Sequence, residues 1–376
     1  MKTKLAAAIA LSLLAAPTFA APTFYGEIDA SIDYLPEDNA NTSDKDVVEV
    51  SSNSSFIGLK GEEKLNDRLN AVYVIEWSLS ADGDSTDWTT RNRFVGLKDA
   101  QLGTLKVGAH DTPLKQLSSP VDTFNNYVAN KADVNGIFTG EARISNAVIY
   151  ESPAIKLPTG AIKVNALLAS GEDSGIAKGN GSSKTAGRGL GDAWSASVVY
   201  DSPVVVAGIA YDKAIPSSFL GSGFSNASSP EVLPAVDKDG KLTSLFAAAN
   251  TIRAIGRVNL EGGLALKALY QTSEVETAKG NAAGSEFIDD AQGCLVGAEY
   301  NLPTAKAWTV KAQYSQNTTT FTNNAPDYEA KQIFAGADYA FNKQVKAYGY
   351  AGYLTLEQGS NETKQPVVGT GLEYKF

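Results

Sequence analysis

The stretch KAWTVKAQYS, residues 306–315, alternates strictly between two kinds of side chain. Trp308, Val310 and Tyr314 fall on one side and Lys311 and Gln313 on the other, because successive side chains of a β-strand point to opposite faces. One face is therefore apolar and the other polar. Strands of about ten residues can cross a bilayer when they are tilted. The same alternation recurs at residues 24–33, 162–168, 194–201 and 251–260.

Short and long connections take turns between these strands. Seven tight links are rich in the Gly, Pro, Asn and Asp that turns require, and polar stretches separate the hairpins that these links form. Seven hairpins, with a first and a last strand, predict 16 strands. The tight links lie at 65–68, 99–103, 157–160, 201–203, 260–263, 302–306 and 341–343. The polar stretches lie at roughly 36–47, 80–90, 113–141, 170–191, 214–241, 274–290, 317–329 and 357–365.

These features together predict an all-β fold, a transmembrane antiparallel 16-stranded β-barrel. The alternative is a large soluble β-sandwich or β-repeat protein with one solvent-exposed face, but the connections of such a protein need not sort by length. Closing the sheet satisfies every edge hydrogen bond, which is the requirement that lipid imposes on a spanning protein. After the first twenty residues the chain has no uninterrupted apolar segment of about 18 residues, which argues against a helical membrane protein.

The first twenty residues, MKTKLAAAIALSLLAAPTFA, predict an export signal that is cleaved after Ala20. The apolar run is shorter than the roughly 20 residues that a transmembrane anchor needs. Residues 21–376 then form a single barrel domain. This domain carries 30 Lys and Arg against 42 Asp and Glu, a net charge of −12. Binding of nucleic acid through a basic surface is therefore not expected.

Five ordered stretches carry a family resemblance. They are FYGEIDASIDYL (24–35), SSFIGLKGEEKLNDRLNAVYVIEW (54–77), RNRFVGLKDAQLGTLKVG (91–108), RISNAVIYESP (143–153) and the final GLEYKF (371–376). Together they resemble a general diffusion porin of the Gram-negative outer membrane. The resemblance implies a homotrimer of barrels in the outer membrane, in contact with lipid and lipopolysaccharide, with an inward-folded third extracellular loop that narrows the channel. We predict a passage for small hydrophilic solutes, with no enzymatic activity, cofactor or metal.

Charged residues on the polar face are the candidates for the pore wall, since a water-filled barrel sorts solutes by its bore and by the charges lining it. Lys60 alternates with Leu59 and is expected to point inward. Arg91 and Arg93 are expected to share the inward face, and Arg143 opens strand six. The resemblance implies a cluster of wall arginines, and Arg91 and Arg143 match two of its positions.

The acids of the inward loop are the second half of this predicted site. The loop runs from Pro113 to about Glu141 and contains Asp122 and Asp133 as well as Glu141. The resemblance implies that such acids face the wall arginines. Opposed charges across a constriction produce a transverse field, which orients dipolar solutes and disfavours apolar ones. A solvated extracellular turn is the alternative for each acid.

Two positions depart from the family pattern, Phe56 in place of an arginine and Ala109 in place of the arginine that usually follows Gly108. The wall cluster is therefore expected to be thinner. With a net charge of −12 and inward acids on strand one, we predict a preference for cations.

Three other functions remain open. An outer-membrane enzyme would need an activated nucleophile, but His110 is the only histidine and no Gly-x-Ser-x-Gly motif is present. An adhesin or structural barrel would have a blocked bore. A sugar-selective porin would favour an aromatic path along the lumen, which Tyr25, Phe56, Tyr348 and Tyr350 could begin.

The chain ends in PVVGTGLEYKF, residues 366–376, which the alternation places as the last strand. Leu372, Tyr374 and Phe376 fall on its lipid face, where barrels carry an aromatic girdle. The resemblance implies that the outer-membrane assembly machinery recognises this terminal aromatic strand. It also implies that the last strand closes the barrel by pairing with the first.

Overall fold

The computed structural model describes residues 21–36, 46–84, 87–170, 189–224 and 245–376. The predicted export signal, residues 1–20, lies outside them. The described chain forms one antiparallel sheet of 18 ladder segments. In two cases a pair of consecutive segments lies against the same neighbouring strand and makes one strand. The barrel therefore has 16 strands, as predicted.

We number the strands β1 to β16 in chain order. They are β1 Thr23–Leu35, β2 Val47–Ser52 with Phe56–Lys64, β3 Leu69–Ser78, β4 Thr90–Asp99, β5 Gly103–Asp111, β6 Arg143–Glu151 with Ile155–Leu157, β7 Gly160–Ser170, β8 Leu190–Asp201, β9 Val205–Ser218, β10 Phe246–Asn259, β11 Leu264–Glu276, β12 Ile288–Asn301, β13 Trp308–Phe321, β14 Tyr328–Ala340, β15 Val345–Gln358 and β16 Asn361–Lys375.

The barrel closes where β16 pairs with β1. Glu27 lies opposite Lys375 and Tyr34 lies opposite Val368 in this ladder. Beyond the ladder, Gly26 and Phe376 exchange two backbone hydrogen bonds of 3.1 Å each. The predicted seam between the last and first strands is confirmed. The described sheet is closed, so its edge strands pair with each other instead of leaving backbone N–H and C=O groups unpaired in lipid.

The two faces of the wall differ as the alternation predicts. In β13, Trp308, Val310 and Tyr314 are exposed on the outside, whereas Lys311 and Gln313 are buried inside the barrel. A soluble protein would bury the apolar set. An exposed apolar face on a closed barrel is instead the surface that a membrane protein presents to lipid.

The strands of the second half run further than the polar stretches suggest. The expected polar connection at 357–365 is wrong, because β15 continues to Gln358, β16 begins at Asn361, and only two residues turn between them. Cross-strand pairing explains the difference, since Lys331 on β14 reaches Glu357 on β15 at 3.0 Å. Polar side chains can thus belong to strands that extend beyond the apolar band, where the hydrophobic pattern no longer marks them.

The described helices are short. They are α1 Pro113–Ser118, α2 Tyr127–Asn130, α3 Val134–Ile137 and the 3-10 helix Ser285–Phe287. Side-chain oxygens cap two of them: Thr112 accepts from the Lys115 N–H at 3.1 Å, and Asp133 accepts from the Gly136 N–H at 3.2 Å. None of the helices in the described part of the chain is long and apolar enough to cross a membrane.

Candidate pore constriction

The connection between β5 and β6, residues 112–142, lies against the inner side of the wall, and we call it loop 3. The Thr123 N–H donates to Gln313 Oε1 on β13 at 2.8 Å, and the Ala129 N–H donates to Asn53 Oδ1 beside β2 at 2.9 Å. These partners stand on well-separated parts of the barrel wall. Loop 3 therefore crosses the interior rather than standing above it.

The tip of loop 3 is held by Tyr127. Its ring stacks on Tyr348 of β15 with 4.2 Å between centroids. Its hydroxyl donates to Asp338 Oδ1 at 2.9 Å and accepts from Lys311 Nζ at 2.8 Å. The next residue, Val128, has a left-handed φ of 54°, which a β-branched residue adopts only where surrounding contacts impose it.

The two limbs of loop 3 meet at Arg253 on β10, whose side chain is fully buried. Its guanidinium donates to the Leu114 carbonyl at 3.4 Å in the first limb and to the Thr139 carbonyl at 2.8 Å in the return limb. It also pairs with Glu141 and donates to the Ser118 hydroxyl. Loop 3 is thus attached to the wall at its base as well as at its tip.

The three predicted loop acids have different surroundings. Glu141 pairs with Arg253. Asp133 is buried, caps α3 and accepts from the Asn126 N–H at 3.0 Å. Burial raises the pKa of Asp133 to about 7. Asp122 accepts from the Val134 N–H at 3.2 Å, and burial together with the nearby Asp133 raises the pKa of its carboxyl well above the ordinary range.

Arg91 lies on β4 and Arg143 on β6, on a part of the wall away from Arg253. Arg143 Nη2 lies 3.0 Å from Asp111 Oδ1, and Arg91 Nε lies 3.9 Å from Glu76 Oε2. Both arginine side chains stay about one-fifth exposed. The arginines therefore pair with acids of the wall itself. Among the described residues, no ion pair joins them to Asp122, Asp133 or Glu141.

Arg93 does not belong to this cluster. The ladder between β3 and β4 shifts register between the Ile75 and Trp77 pairings, so that Arg93 lies opposite Ile75 on the outer face. Its guanidinium stands 5.3 Å from the ring centroid of Trp77. The prediction that Arg93 shares the inward face of Arg91 is wrong, because the irregularity in the ladder breaks the alternation between them.

Lys60, the remaining predicted wall residue, lies nearer a short turn, whereas Phe56 and His110 lie nearer the long connections. Lys60 is exposed and its ammonium stands 4.5 Å from the ring centroid of Tyr25. Phe56, which departs from the family pattern, packs beneath Arg91 with 4.6 Å between ring centroid and guanidinium. His110 is buried and its Nδ1 lies 2.8 Å from the Asp111 carbonyl.

Sequence reasoning missed Arg253, Glu76 and Asp111. Arg253 stands on the polar face of the alternating residues 251–260, so its inward direction was visible. Its importance was not visible, because the contacts join residues more than a hundred positions apart in the chain. The pairing of Arg143 with Asp111 is set by the ladder between β5 and β6, where the two residues lie opposite each other.

A cluster of three carboxylates was considered as a metal site. Oxygens of Glu27, Asp29 and Glu373 lie within 4.8 Å of one another at the barrel seam. Two lysines already supply positive charge there, since Lys346 and Lys375 approach Glu373 at 2.9 and 2.8 Å. The cluster therefore reads as an ion-pair network that joins the last strands to the first.

Comparison with known proteins identifies the family. A family model described as Gram-negative porin matches residues 6–359. The chain belongs to the Gram-negative porin family. Membership agrees with the resemblance predicted from the sequence, and it indicates an outer-membrane channel rather than an enzyme.

Major outer membrane proteins of Neisseria match nearly the whole chain. The chain is 24% identical to the major outer membrane protein P.IB of Neisseria gonorrhoeae, over 98% of this porin and 99% of that protein. It is 26% identical to the P.IB of Neisseria meningitidis, with 98% of each chain covered.

Solved porin structures share the fold. An anion-selective porin from Comamonas acidovorans superposes with a TM-score of 0.68 and 17% identity, over 95% of this chain and 99% of that one. The OmpF porin of Salmonella typhi superposes with a TM-score of 0.61 and 16% identity, over 94% and 97%. At these identities the likeness concerns the fold of the porin alone.

Proposed function

We propose that this porin forms a water-filled channel for passive diffusion of small hydrophilic solutes and ions. The main support is the difference in arginine exposure between the two sides of the barrel interior. Arg253, where loop 3 covers the wall, has no exposed side-chain surface, whereas Arg91 and Arg143 on the uncovered wall keep 21% and 19%. The open path therefore lies between loop 3 and the wall of β2–β6, which is lined by charged and amide groups.

The proposed channel prefers cations because of exposed acids at its mouth, rather than because of the acids predicted on strand one. Asp29 and Asp33 on β1 are buried and accept from the hydroxyls of Tyr348 and Tyr350, so they do not face the open path. The end with the long connections, extracellular in this family of barrels, carries many more exposed acids than bases. In the described residues the exposed acids there are Asp46, Asp84, Asp87, Glu274, Glu286, Asp289, Asp327 and Glu362, against Lys279.

A ring of exposed acids raises the local concentration of cations at the mouth, and salt screens this effect within about 10 Å at 0.1 M. The wall pairs Arg91, Arg143 and Lys106 with Glu76, Asp111 and Glu151, so the wall itself contributes little net charge. The preference should therefore be weak and should fall as the ionic strength rises.

A planar-bilayer recording of purified protein under a salt gradient tests this function. We expect stepwise conductance and a reversal potential of the cation-selective sign, which shrinks as total salt is raised at a fixed concentration ratio. A reversal potential of the anion-selective sign would refute the cation preference. Absence of conductance steps from folded protein would refute the channel function itself.

A substrate-selective, sugar-type porin is the second candidate, and an adhesin or barrel enzyme is less favoured. Tyr348 and Tyr350 are buried beneath loop 3, so of the aromatic path only Tyr25 and Phe56 remain, with 6.0 Å between their ring centroids. A two-residue path offers little stacking surface to a sugar ring. Blockage of single-channel current by added sugars would favour this candidate, and unchanged current would favour general diffusion.

We also propose a homotrimer that contacts outer-membrane lipid and lipopolysaccharide after insertion by the assembly machinery and removal of residues 1–20. A solved relative is described as the trimer form of Vibrio cholerae OmpT, at 16% identity. The mass of the detergent-solubilised protein tests the trimer, and sequencing of the mature N-terminus tests cleavage after Ala20.

A further inference from the structure

We propose that Arg253 is the positioning residue that fixes loop 3 and so sets the width and the steadiness of the bore. The inference rests on the proposed channel function, since it says how that channel is held open. Arg253 lies on β10, on the covered side of the barrel, and does not line the open path. Its effect on permeation would therefore pass through loop 3.

The contacts of Arg253 join three separate parts of the chain. Nε donates to Gln271 Oε1 on β11 at 2.8 Å, which fixes the guanidinium plane against the wall. Nη2 donates to the Thr139 carbonyl at 2.8 Å and Nη1 to the Leu114 carbonyl at 3.4 Å. One side chain thus holds the first and the return limb of loop 3 to each other and to the barrel.

The acid in this arrangement reinforces it. Glu141 pairs with the guanidinium and accepts from the Ser118 hydroxyl of the first limb at 3.0 Å. A buried charge that loses its partner is strongly destabilising, so neither Arg253 nor Glu141 can leave the contact alone at low cost. Release of either limb would break the pair, which makes attachment of the two limbs cooperative.

Arginine chemistry fits this task better than lysine would. The guanidinium carries five donors in a rigid planar fork, whereas an ammonium is a point charge with three donors. Gln271 supports the same geometry, since its Nε2 donates to the Thr139 carbonyl at 2.8 Å. The carbonyl of Thr139 therefore receives two donors, one from each of two neighbouring strands.

The chain contains a matched control on the same strand. Arg257 carries the same charge and also points inward, but its side chain is 30% exposed. Its contact with loop 3 is a single long hydrogen bond, from Nη1 to the Pro120 carbonyl at 3.4 Å. Arg253→Met and Arg257→Met remove the same charge from the same face of β10, so a charge effect should appear in both and a loop effect in the first alone.

Single-channel recording of the two variants and the wild type tests the proposal, with heat-modifiable gel mobility as the check on folding. For Arg253→Met we expect a correctly folded barrel with open-channel noise and spontaneous closures about tenfold or more above the wild type, because loss of a buried ion pair shifts the loop equilibrium at least that far. We expect Arg257→Met to stay within about twofold of the wild type. Arg253→Lys should give intermediate noise.

Equal noise in Arg253→Met and the wild type, with both folded, would overturn the proposal, and so would equal noise in the two methionine variants. If Arg253→Met does not fold, Arg253→Lys decides: noise above the wild type supports the proposal, and noise equal to it overturns it. A wild type without conductance would refute the channel function instead, so the two failures can be told apart.

Discussion

The ring of Tyr127 lies 4.2 Å from the ring of Tyr348, centroid to centroid, and this stacked pair ties the tip of loop 3 to strand β15. The Tyr127 hydroxyl adds two polar contacts, with Asp338 and Lys311. The tip is therefore attached by an aromatic surface and by a hydroxyl that bridges the ion pair of buried Lys311 and partly buried Asp338. These two contributions can be separated experimentally.

We expect Tyr127→Phe to keep the stacking and to lose both hydrogen bonds. The cost to barrel stability should be about 1–3 kcal/mol, because buried Lys311 and partly buried Asp338 would each lose a hydrogen-bond partner. The unfolding midpoint of the detergent-solubilised protein measures it. Tyr353→Phe on the outer face is the control and should leave the midpoint unchanged; an equal fall in both variants would contradict the role given to Tyr127.

Deletion of Phe376 should reduce assembly far more than conduction. The ring of Phe376 stacks on Phe24 with 5.4 Å between centroids, and its backbone completes the seam with Gly26. We expect less folded barrel in the outer membrane, measured as the heat-modifiable fraction. The few channels that insert should conduct as the wild type does, because Phe376 lies outside the bore. Normal yield from the deletion variant would refute its role as an assembly signal.

Removal of the wall arginines should increase the preference for cations. Arg91→Gln combined with Arg143→Gln removes two positive charges beside the proposed open path and leaves Glu76 without its arginine, while Asp111 keeps Lys115 at 3.4 Å. We expect the cation-to-anion permeability ratio to rise roughly twofold, as two charges acting through water-like screening allow. Arg93→Gln is the matched control, since Arg93 lies on the outer face, and it should leave the reversal potential unchanged. A shift as large in Arg93→Gln would show that the bore is lined differently.

Attachment of loop 3 should weaken as pH rises from about 4 to about 7. Burial raises the pKa of Asp133 to about 7, against an ordinary value of 3.8, so the folded loop binds a proton that the unfolded chain has lost. This stabilisation is complete below pH 3.8 and is lost as pH passes 7. The pKa of neighbouring Asp122 is raised as well.

The unfolding midpoint at pH 5 and pH 8 measures this dependence, and we expect a lower midpoint at pH 8. Asp133→Asn should flatten the difference, since asparagine can still cap α3 but does not titrate. Asp327→Asn, an exposed loop acid, is the control and should keep the wild-type difference. If Asp133→Asn keeps the full pH dependence of the wild type, other titrating groups are responsible for it.

The barrel could be predicted from the sequence because lipid and water impose opposite demands on alternate residues. Trp308 marks the lipid face and Lys311 the inner face, and the aromatic residues of the last strand indicate its place in the barrel. Strand ends could not be predicted where the wall leaves the apolar band, as at Gln358 and Asn361, because both faces are polar there.

The site was harder to predict because its geometry depends on irregularities and long-range contacts. Arg91 and Arg143 lie on strands of the barrel, and their role in the pore stays a prediction. The prediction for Arg93 was wrong because a register shift in β4 cannot be recognised from the alternation of residues. Loop acids and wall arginines were expected to oppose each other, yet Glu141 pairs with Arg253, a residue that no local pattern links to loop 3.

The central claim is that an open aqueous path runs between loop 3 and the wall of β2–β6. Swelling of liposomes that contain folded, purified protein tests it most directly, with a series of neutral sugars of increasing size. We expect rapid swelling with the smallest sugars and a smooth decline with size, independent of sugar stereochemistry. Liposomes that fail to swell with any of them, while the protein is folded and inserted, would contradict the claim.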